Sequence, residues 1–363
     1  MTSSGSVKVA HLVPALFGRD GVVGGAERYT LELARYMAER VPTQLVSFGE
    51  RSHTERLGAL EIVVIGGPHL VRRQRSNPFA WAAVRQALRA DVVHCHQQHI
   101  LVSTVAAAAA RLTGRRIFCT DLGGGGWDLS SYISTDRLFQ GHLHISEYSR
   151  RVFGQEGSKY AQVIYGGVDT TKFSPPVDPA PHPFQCVFVG RLLPHKGVDV
   201  LIEALPEDMD AQIIGPAPDA RYRDDLERLA SGKRVRFRYD CNDEDLVAAY
   251  RSASVVVLPS VTTDRYGGYS NVPELLGQTL LEAMACGVAT ISSDVASLPE
   301  VVAHQQTGLV VPENDRVQLR QALELVRDNP DAARRFGLAG RQRVLDRFTW
   351  PLVVDRCLQA YRQ

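Results

Sequence analysis

The chain has 363 residues, a length that favours two domains of ~100–200 residues each. A hydrophobic content of 44% and a charged content of 22% are typical of a globular protein with sizeable buried cores. The formal net charge is only +1 and the basic residues are spread along the chain, so we predict no nucleic-acid partner.

The sequence carries no predicted export or membrane-spanning segment. Its amino-terminal stretch lacks a charged region ahead of a long apolar core, which argues against a secretory signal. No apolar run reaches the ~20 residues that a membrane-spanning helix needs. The six cysteines form no CxxC pair, which favours reduced thiols over disulfides or zinc. We therefore expect a cytoplasmic protein, and a peripheral position on the inner face of a membrane stays open.

Short β-branched runs alternate with longer helical patterns over residues 1–168. The predicted strands are VKVAHLVP, TQLVSF, EIVVIG, DVVHCH, RIFCTD and HLHISE. The predicted helices include AERYTLELARYMAER, FAWAAVRQALR, TVAAAAARLTG and SRRVFGQ. Continuous apolar strands that alternate with helices are typical of a parallel sheet covered on both faces, so this half predicts a doubly wound α/β domain.

The alternation stops at the segment SPPVDPAPHP, which predicts a linker because proline disfavours helix in the residue before it. It resumes with the apolar strands QCVFV, AQIIG, VRFRY, VVVLPS, ATISS and LVVP, with helical patterns between them. We therefore predict a second doubly wound domain at 169–348 and a final amphipathic helix at 349–363. Such sheets bind ligands beyond the carboxyl ends of their strands, so two of them predict a cleft between the domains.

The first candidate site follows the predicted strand QCVFV. The segment GRLLPHKG places Arg191 and Lys196 beyond the strand end and ahead of a helix. A planar guanidinium and a compact ammonium both suit phosphate oxygens. The alternative is a pair of solvated surface charges.

The second candidate site is a glycine-led helix bracketed by two carboxylates. Glu274 precedes the helix, and Glu282 lies inside it, eight positions later. The backbone N–H groups of Gly277, Gln278 and Thr279 have no acceptor within the helix and would point at an anion. Carboxylates avoid an anion but accept hydrogen bonds from hydroxyls. A nucleotide diphosphate sugar meets both requirements, with its diphosphate at the helix start and its hydroxyls on the two acids.

A histidine-rich strand end, DVVHCHQQH, suggests a metal. Alternation puts His94 and His96 on one face of the strand, and histidine is a common metal ligand. We find no convincing DxD pair, because helix capping accounts for DMD and DED. We therefore predict no metal. A cleft-lining role for His96 stays open beside a position in the core.

Several sequence blocks together resemble one known family. They are GGAER, VIYGGVDTTKF, GRLLPHKG, DEDLVAAYRSASVVVLPS, the E-x7-E run that begins at 274, AMACG, SSDVASLPEVV and TGLVVP. In these blocks the chain is similar to the retaining nucleotide-sugar glycosyltransferases of family four, which have the GT-B fold. The resemblance covers nearly the whole chain and is most specific from 187 to 312.

The resemblance implies two Rossmann-like domains that face an interdomain cleft. Residues 1–168 would form the acceptor side and 169–348 the nucleotide-sugar side, with the helix at 349–363 packed back on the first domain. No cofactor besides the donor substrate is implied.

The resemblance also implies roles for the second-domain candidates. Glu274 would hold the hydroxyls of the donor sugar, and Glu282 would hold those of the ribose. Arg191 and Lys196 would neutralise the departing diphosphate, on which negative charge builds as the bond to the sugar loosens.

The first-domain candidates are less specific. In GVVGGAERY, Gly24 and Gly25 would let the backbone approach the phosphates, and a plain tight turn is the alternative. Members of the family often carry a histidine after the strand that here ends in RIFCTD, where this chain has Thr120 and Asp121. Asp121 is therefore our candidate for a catalytic contact from this domain, with turn capping as the alternative.

Two segments are expected to influence which sugar or acceptor is used. The loop at 262–272, TTDRYGGYSNV, is longer than the common form. The segment at 72–81 mixes arginines with aromatics and either contacts an anionic acceptor or a membrane surface, or is a solvated loop. A small molecule, a glycan and a lipid all stay open as the acceptor, as does the oligomeric state.

These patterns predict a hexosyltransferase that moves a hexose-type sugar from a nucleotide diphosphate to an acceptor hydroxyl with retention of configuration. A nucleotide-sugar epimerase on the same fold is one alternative, for which catalytic groups are expected at other places. An NAD-dependent dehydrogenase is a second alternative. It would need G-x-G-x-x-G after a strand and an acidic residue about 20 positions further on, and neither domain shows this set.

Overall fold

The computed structural model of the chain describes residues 7–16, 25–123, 132, 134–177 and 183–363. These residues form two compact units, one up to Gly167 together with Trp350–Gln363, and one spanning Val168–Thr349. The chain therefore enters the second unit after Gly167 and returns to the first at Trp350. No helix in the described ranges is long and apolar enough to cross a membrane.

The strands of both units are short. In chain order they are β1 (Val9–Leu16), β2 (Thr43–Gly49), β3 (His53–Leu57), β4 (Leu60–Gly66), β5 (His69–Leu70), β6 (Pro78–Phe79), β7 (Val92–Cys95), β8 (Arg116–Cys119), β9 (Gly141–His144), β10 (Ala161–Val163), β11 (Gln185–Val189), β12 (Asp210–Ile214), β13 (Val235–Arg238), β14 (Val255–Leu258), β15 (Ala289–Ser293) and β16 (Gly308–Val311).

Helices connect most of the strands. In chain order the α-helices are α1 (Gly25–Ala38), α2 (Trp81–Ala87), α3 (Leu101–Leu112), α4 (Glu147–Val152), α5 (Val198–Ala204), α6 (Ala220–Leu229), α7 (Asp243–Arg251), α8 (Gln278–Ala285), α9 (Leu298–Val301), α10 (Arg316–Asp328), α11 (Pro330–Arg347) and α12 (Trp350–Arg362). Short 3-10 helices occur at Val71–Arg73, Asp136–Leu138 and Pro194–Lys196.

The first unit is built on an eight-stranded sheet in the order β10-β9-β8-β7-β1-β2-β4-β3. Neighbouring strands are parallel, except that β3 runs antiparallel to β4. Because the chain continues from β1 towards β2 on one side and later places β7 on the other, the switch point of this sheet lies between β1 and β7. Its core includes the buried side chains of Leu12, Phe48, Val93 and Ile117.

The carboxyl-terminal helix α12 belongs to the first unit by its contacts. The ring of Trp350 meets that of Tyr29 edge to face, with 5.2 Å between centroids. A Cβ at Gly167 would lie 2.6 Å from the Trp350 ring, so only glycine allows this approach. Arg356 donates from Nη1 to the carbonyl of Ile164 at 3.0 Å.

The second unit is built on a six-stranded parallel sheet in the order β13-β12-β11-β14-β15-β16. Numbered within the unit, this is the 3-2-1-4-5-6 order of a doubly wound nucleotide-binding sheet. Apart from the edge strand β13, its strands are largely buried, with Val187, Phe188, Ile213, Val256 and Ile291 in the core. Ligands of such sheets bind at the switch point, which here lies between β11 and β14.

The predicted pair of doubly wound α/β domains is confirmed, and some details differ. The sequence pattern did not predict β3, because all five of its residues are exposed and it lacks an apolar face. The short strands β5, β6 and β10 were not predicted either. The proline-rich segment that we predicted as a linker starts inside the second unit instead. There, Arg251 of α7 donates from Nε to the carbonyl of Ser174 at 2.8 Å.

Candidate active site

The loops that follow β11 and β14 pack directly against each other at the switch point of the second unit. Gly197 closes the loop after β11 in the left-handed conformation, with φ of 65°. A Cβ there would lie 2.0 Å from the carbonyl oxygen of Pro259, which follows β14. Val261 donates its N–H to the carbonyl of His195 at 2.9 Å and joins the same two loops. The backbone therefore brings 190–197 and 259–261 together.

Lys196 and Glu274 form a largely buried ion pair at this junction. The Nζ of Lys196 lies 2.5 Å from Oε1 of Glu274, and their side chains are 16% and 9% exposed. The Ser260 hydroxyl donates to the same oxygen at 2.8 Å, and the Ser297 hydroxyl donates to the Glu274 carbonyl at 3.2 Å. These bonds fix the carboxylate. Among the described residues, none donates to its second oxygen, Oε2.

The pKa of His195 depends on the charges that surround the pair of Lys196 and Glu274. Burial, followed by the neighbouring positive charge of Lys196, lowers the pKa of His195, and Arg191 acts in the same direction. The carboxylates of Glu274 and Asp264 act against this shift. Arg191 and Lys196 therefore both lie within electrostatic reach of His195. The guanidinium of Arg191 is exposed, and no described residue accepts a hydrogen bond from it.

In the sequence, helix α8 begins four positions after Glu274. Its cap, Gly277, has φ of 79°, and no side chain caps the first turn. The positive φ favours glycine here, and a Cβ at Gly277 would also lie 2.7 Å from Cδ2 of Leu298. Gln278 and Thr279 form the first turn. Their end of the helix carries the positive end of the helix dipole and suits an anion.

Glu282 lies on α8 but is deeply buried, with an exposed fraction of 4%. The hydroxyl of Tyr250, on α7, donates to its Oε2 at 2.9 Å. The ring of Tyr250 in turn packs on Phe173, with 5.9 Å between centroids. The sequence predicts that Glu282 contacts the donor ribose, and it gives no signal for the tyrosine that holds it.

The long loop at 262–272 is an ordered hairpin. Thr263 and Tyr269 pair in antiparallel fashion, and Oδ1 of Asp264 accepts the N–H groups of Tyr266 and Gly268 at 2.8 and 2.9 Å. At its base, Thr262 donates from N and Oγ1 to the two carboxylate oxygens of Glu313 at 2.5 and 2.6 Å. The loop therefore presents a defined surface next to the ion pair.

The hairpin is also tied to the start of α5. Arg265 lies 3.9 Å from the buried carboxylate of Asp199, which accepts a 2.6 Å hydrogen bond from the Tyr222 hydroxyl. Burial raises the pKa of Asp199. Asp199 follows Lys196 by three positions, so the cationic loop and the hairpin share one support.

The candidate residues of the first unit are Asp121, Gly24 and Gly25. Oδ2 of Asp121 accepts the N–H of Gln98 at 3.3 Å, and Oδ1 accepts that of Gly123 at 2.9 Å, so the carboxylate caps two turns. A catalytic role for Asp121 stays a prediction. Gly25 is the exposed first residue of α1, while Gly24 lies outside the described residues.

A cluster of three buried histidines lies beneath the switch point of the first sheet. His11, His94 and His96 place potential ligand atoms within 4.8 Å of one another. His11 Nε2 lies 3.3 Å from the thioether of Met37, which can only accept, so Nε2 carries the proton. Nδ1 of His11 then accepts from Nε2 of His96 at 2.8 Å.

The geometry of this cluster fits hydrogen bonding better than metal ligation. The rings of His94 and His96 are stacked, with 4.5 Å between centroids and planes inclined by 27°. An ion lies in the plane of an imidazole that binds it, so the lone pairs of stacked rings do not converge. Both nitrogens of His94 are engaged, at 2.7 Å with Tyr361 Oη and at 2.8 Å with Thr120 Oγ1. Burial lowers the pKa of all three rings, that of His11 to about 3.

Solved structures that match this chain over nearly its whole length define the class of its fold. Sucrose-phosphate synthase from Thermosynechococcus elongatus matches with a TM-score of 0.74 at 20% identity, covering 98% of both chains. HepE from Anabaena, in complex with UDP and glucose, matches with a TM-score of 0.72 at 17% identity, covering 98% of this chain and 100% of that one. The fold is that of the GT-B glycosyltransferases.

Family models place the chain more closely. The model described as Glycosyl transferases group 1 matches residues 169–343, and the model described as Glycosyltransferase Family 4 matches residues 23–172. The chain belongs to the family-four glycosyltransferases, whose two domain types it carries in succession.

Curated relatives transfer sugars to different acceptors. The alpha-maltose-1-phosphate synthase of Mycolicibacterium smegmatis is 28% identical over 274 residues, which cover 66% of this chain and 68% of that enzyme. A GDP-mannose-dependent monoacylated alpha-(1-6)-phosphatidylinositol monomannoside mannosyltransferase of Corynebacterium glutamicum is 31% identical over 236 residues, covering 59% of each. These relatives do not favour the epimerase alternative.

Proposed function

We propose that the chain is a retaining hexosyltransferase that takes a hexose-type sugar from a nucleotide diphosphate and places it on an acceptor hydroxyl. The observation that carries the proposal is the buried pair of Lys196 and Glu274 at the switch point between β11 and β14. Beside this pair lie the exposed Arg191 and, along the chain, the uncapped start of α8.

The cations act on the leaving group. As the bond between the sugar and the diphosphate loosens, negative charge grows on the phosphate oxygens, and fixed positive groups lower the barrier. Arg191 has its donors available, and the amides at the start of α8 add the positive end of the helix dipole. Lys196 approaches the same phosphate from a position that Glu274 holds.

Glu274 has two functions in this proposal. Its Oε1 accepts from Lys196 and Ser260, so it orients the ammonium group. Its Oε2 has lone pairs for the hydroxyls of the donor sugar, which a carboxylate accepts well. A carboxylate that is already neutralised by a lysine can lie near a diphosphate without strong repulsion.

The proposal leaves the metal and the acceptor to experiment. In the proposed mechanism Lys196 and Arg191 supply the positive charge that a metal supplies in other transferases, so activity should persist with a chelator present. The named relatives are a synthase of alpha-maltose-1-phosphate and a mannosyltransferase of a phosphatidylinositol monomannoside. We propose an acceptor with a free hydroxyl, whether a small molecule, a glycan or a lipid.

The test is a panel of nucleotide sugars with release of nucleoside diphosphate as the readout, in buffer with EDTA. We expect one base and sugar to be hydrolysed slowly without an acceptor, and the product with acceptor to keep the anomeric configuration of the donor by proton NMR. Glu274→Gln should remove this activity, while Glu244→Gln, an exposed change on α7, should not. Inversion of the anomeric centre, or equal activity of the two variants, would contradict the proposal.

A further inference from the structure

The first unit contains a cavity at the edge of its sheet opposite the switch point. Its volume is about 1020 Å³, and it is lined by the amino ends of β8, β9 and β10 together with the end of α12. Arg116, Gly141 and Gln162, at or near the first residues of these strands, all line it. Because the strands are parallel, this edge is the one away from their carboxyl ends. The volume is sufficient for a small-molecule ligand.

The cavity collects positive charge that no described carboxylate neutralises by an ion pair. Four cationic side chains line it, against a single acidic side chain, that of Asp136. The chain as a whole has a net charge of only +1, so this is a local concentration. The cations are Arg111, Arg116, Arg137 and Lys159.

Two of the arginines are held in place by backbone carbonyls. Arg111 donates from Nε to the carbonyl of Leu138 at 3.1 Å and from Nη2 to that of Arg137 at 2.6 Å. Arg116 donates from Nη1 to the carbonyl of Tyr361. Neutral acceptors orient a guanidinium but leave its charge in place and several of its donors available. Arg111 and Arg116 are therefore preorganised for an anion.

His142, one of the residues that line the same cavity, has a buried ring nitrogen without a partner in the described part of the chain. His142 is 5% exposed, and within the described residues its Nε2 has no hydrogen-bond partner. A neutral imidazole nitrogen either donates or accepts, and a hydroxyl does both. A buried nitrogen without a partner is costly, and a ligand hydroxyl would satisfy it in either tautomer.

We propose that this cavity is a second ligand site, distinct from the nucleotide-sugar site, that binds a phosphomonoester with a hydroxyl group. The phosphate would take the donors of Arg111, Arg116, Arg137 and Lys159, and the hydroxyl would form a hydrogen bond with Nε2 of His142. The proposal does not depend on the transferase activity, because it uses residues of the first unit only.

The experiment measures phosphate binding directly. Because Arg191 and Lys196 would also attract phosphate, the full chain carries Arg191→Ala and Lys196→Ala in every sample. The histidine ring protons are followed by NMR during titration with inorganic phosphate and, separately, glycerol 3-phosphate at constant ionic strength. His142→Phe assigns the resonance. We expect a saturable shift of the His142 signal.

Two variants then distinguish binding in the cavity from binding elsewhere on the protein surface. Arg137→Gln with Lys159→Gln changes two exposed residues and should weaken binding by at least ~10-fold, because each removes a charge-assisted hydrogen bond. Arg115→Gln is the matched control, since Arg115 neighbours Arg116 but is paired with Asp91 outside the cavity. An absent or non-saturable shift, or equal affinity in both variants, would overturn the proposal.

A second arm identifies the source of the phosphate group. Vesicles of phosphatidylcholine with phosphatidic acid are compared with pure phosphatidylcholine vesicles in a sedimentation assay. Selective sedimentation that is lost in Arg137→Gln with Lys159→Gln supports the site and assigns it to a lipid headgroup. Binding of glycerol 3-phosphate without selective sedimentation supports the site and assigns it to a free phosphomonoester.

Discussion

Lys196 and Glu274 are separated by 78 positions in the chain and by 2.5 Å in the structure. Their contact joins the loop after β11 to the segment that precedes α8. A cation that is bound to a carboxylate is a weaker attractor of anions than a free one, but it is held in a single place. Pairing with Glu274 therefore weakens the attraction of Lys196 for anions and fixes the position of its ammonium group.

The first prediction concerns the two cations, Arg191 and Lys196, together. Arg191→Ala combined with Lys196→Ala should lower turnover at least ~10²-fold with the preferred donor, since both would face charge that develops on the leaving phosphate. Steady-state kinetics check this. Arg223→Ala is the control, because Arg223 is an exposed arginine of α6 paired with its neighbour Asp224. Full activity in the double variant would refute the assignment.

The second prediction concerns Glu282. Glu282→Ala should raise the KM for the donor more than it lowers kcat, because a ribose contact is made equally in the ground and transition states. Tyr250→Phe removes only the 2.9 Å hydrogen bond to Glu282, so it should show a smaller change in the same direction. An unchanged KM in Glu282→Ala would show that this buried glutamate has a purely structural function.

The third prediction concerns the approach of two loops at Gly197. Gly197→Ala should destabilise the second unit by at least ~2 kcal/mol, since it adds a Cβ that meets Pro259 and does so at positive φ. Thermal unfolding measures the loss. Gly157→Ala is the control, because a Cβ there would meet no atom within 4 Å and the backbone is not left-handed. An equal melting temperature in the two variants would contradict the packing argument.

The fourth prediction is a loss of stability in acid that comes from the histidine cluster. Burial lowers the pKa of His11 to about 3, against 6.5 for a solvated ring, and lowers those of His94 and His96 in the same direction. Below pH 6.5 the unfolded chain therefore binds protons that the folded chain does not, and unfolding becomes easier as the pH falls from about 6.5 towards 3.

The free energy of unfolding, measured by urea denaturation between neutral pH and pH 4.5, should show this slope. His11→Gln keeps a donor for Met37 and removes one titrating ring, so its slope should be shallower. His53→Gln is the control, because His53 is exposed on β3. A slope that is the same in all three proteins would exclude the cluster as its source.

Local patterns in the sequence were sufficient for the fold class and for most strands of the two sheets. Runs such as QCVFV and VVVLPS are apolar because both faces of their strands are covered, and this property is visible without any knowledge of the fold. The same holds for Arg191, Lys196 and Gly277, which follow strands or precede helices, where ligands of doubly wound sheets are found. The edge strand at His53–Leu57 has no covered face, and so it had no signal.

Contacts between distant segments of the chain were decided only by the tertiary structure. Nothing local pairs Lys196 with Glu274, places Tyr250 on Glu282 or stacks His94 on His96 within reach of His11, because each contact depends on which strands become neighbours. The order of strands in a sheet is set by the packing of the whole domain, whereas strand and helix patterns are set by burial along each segment. The sequence by itself therefore determined the fold class and the candidate cations, and the packing of the sheet decided their partners.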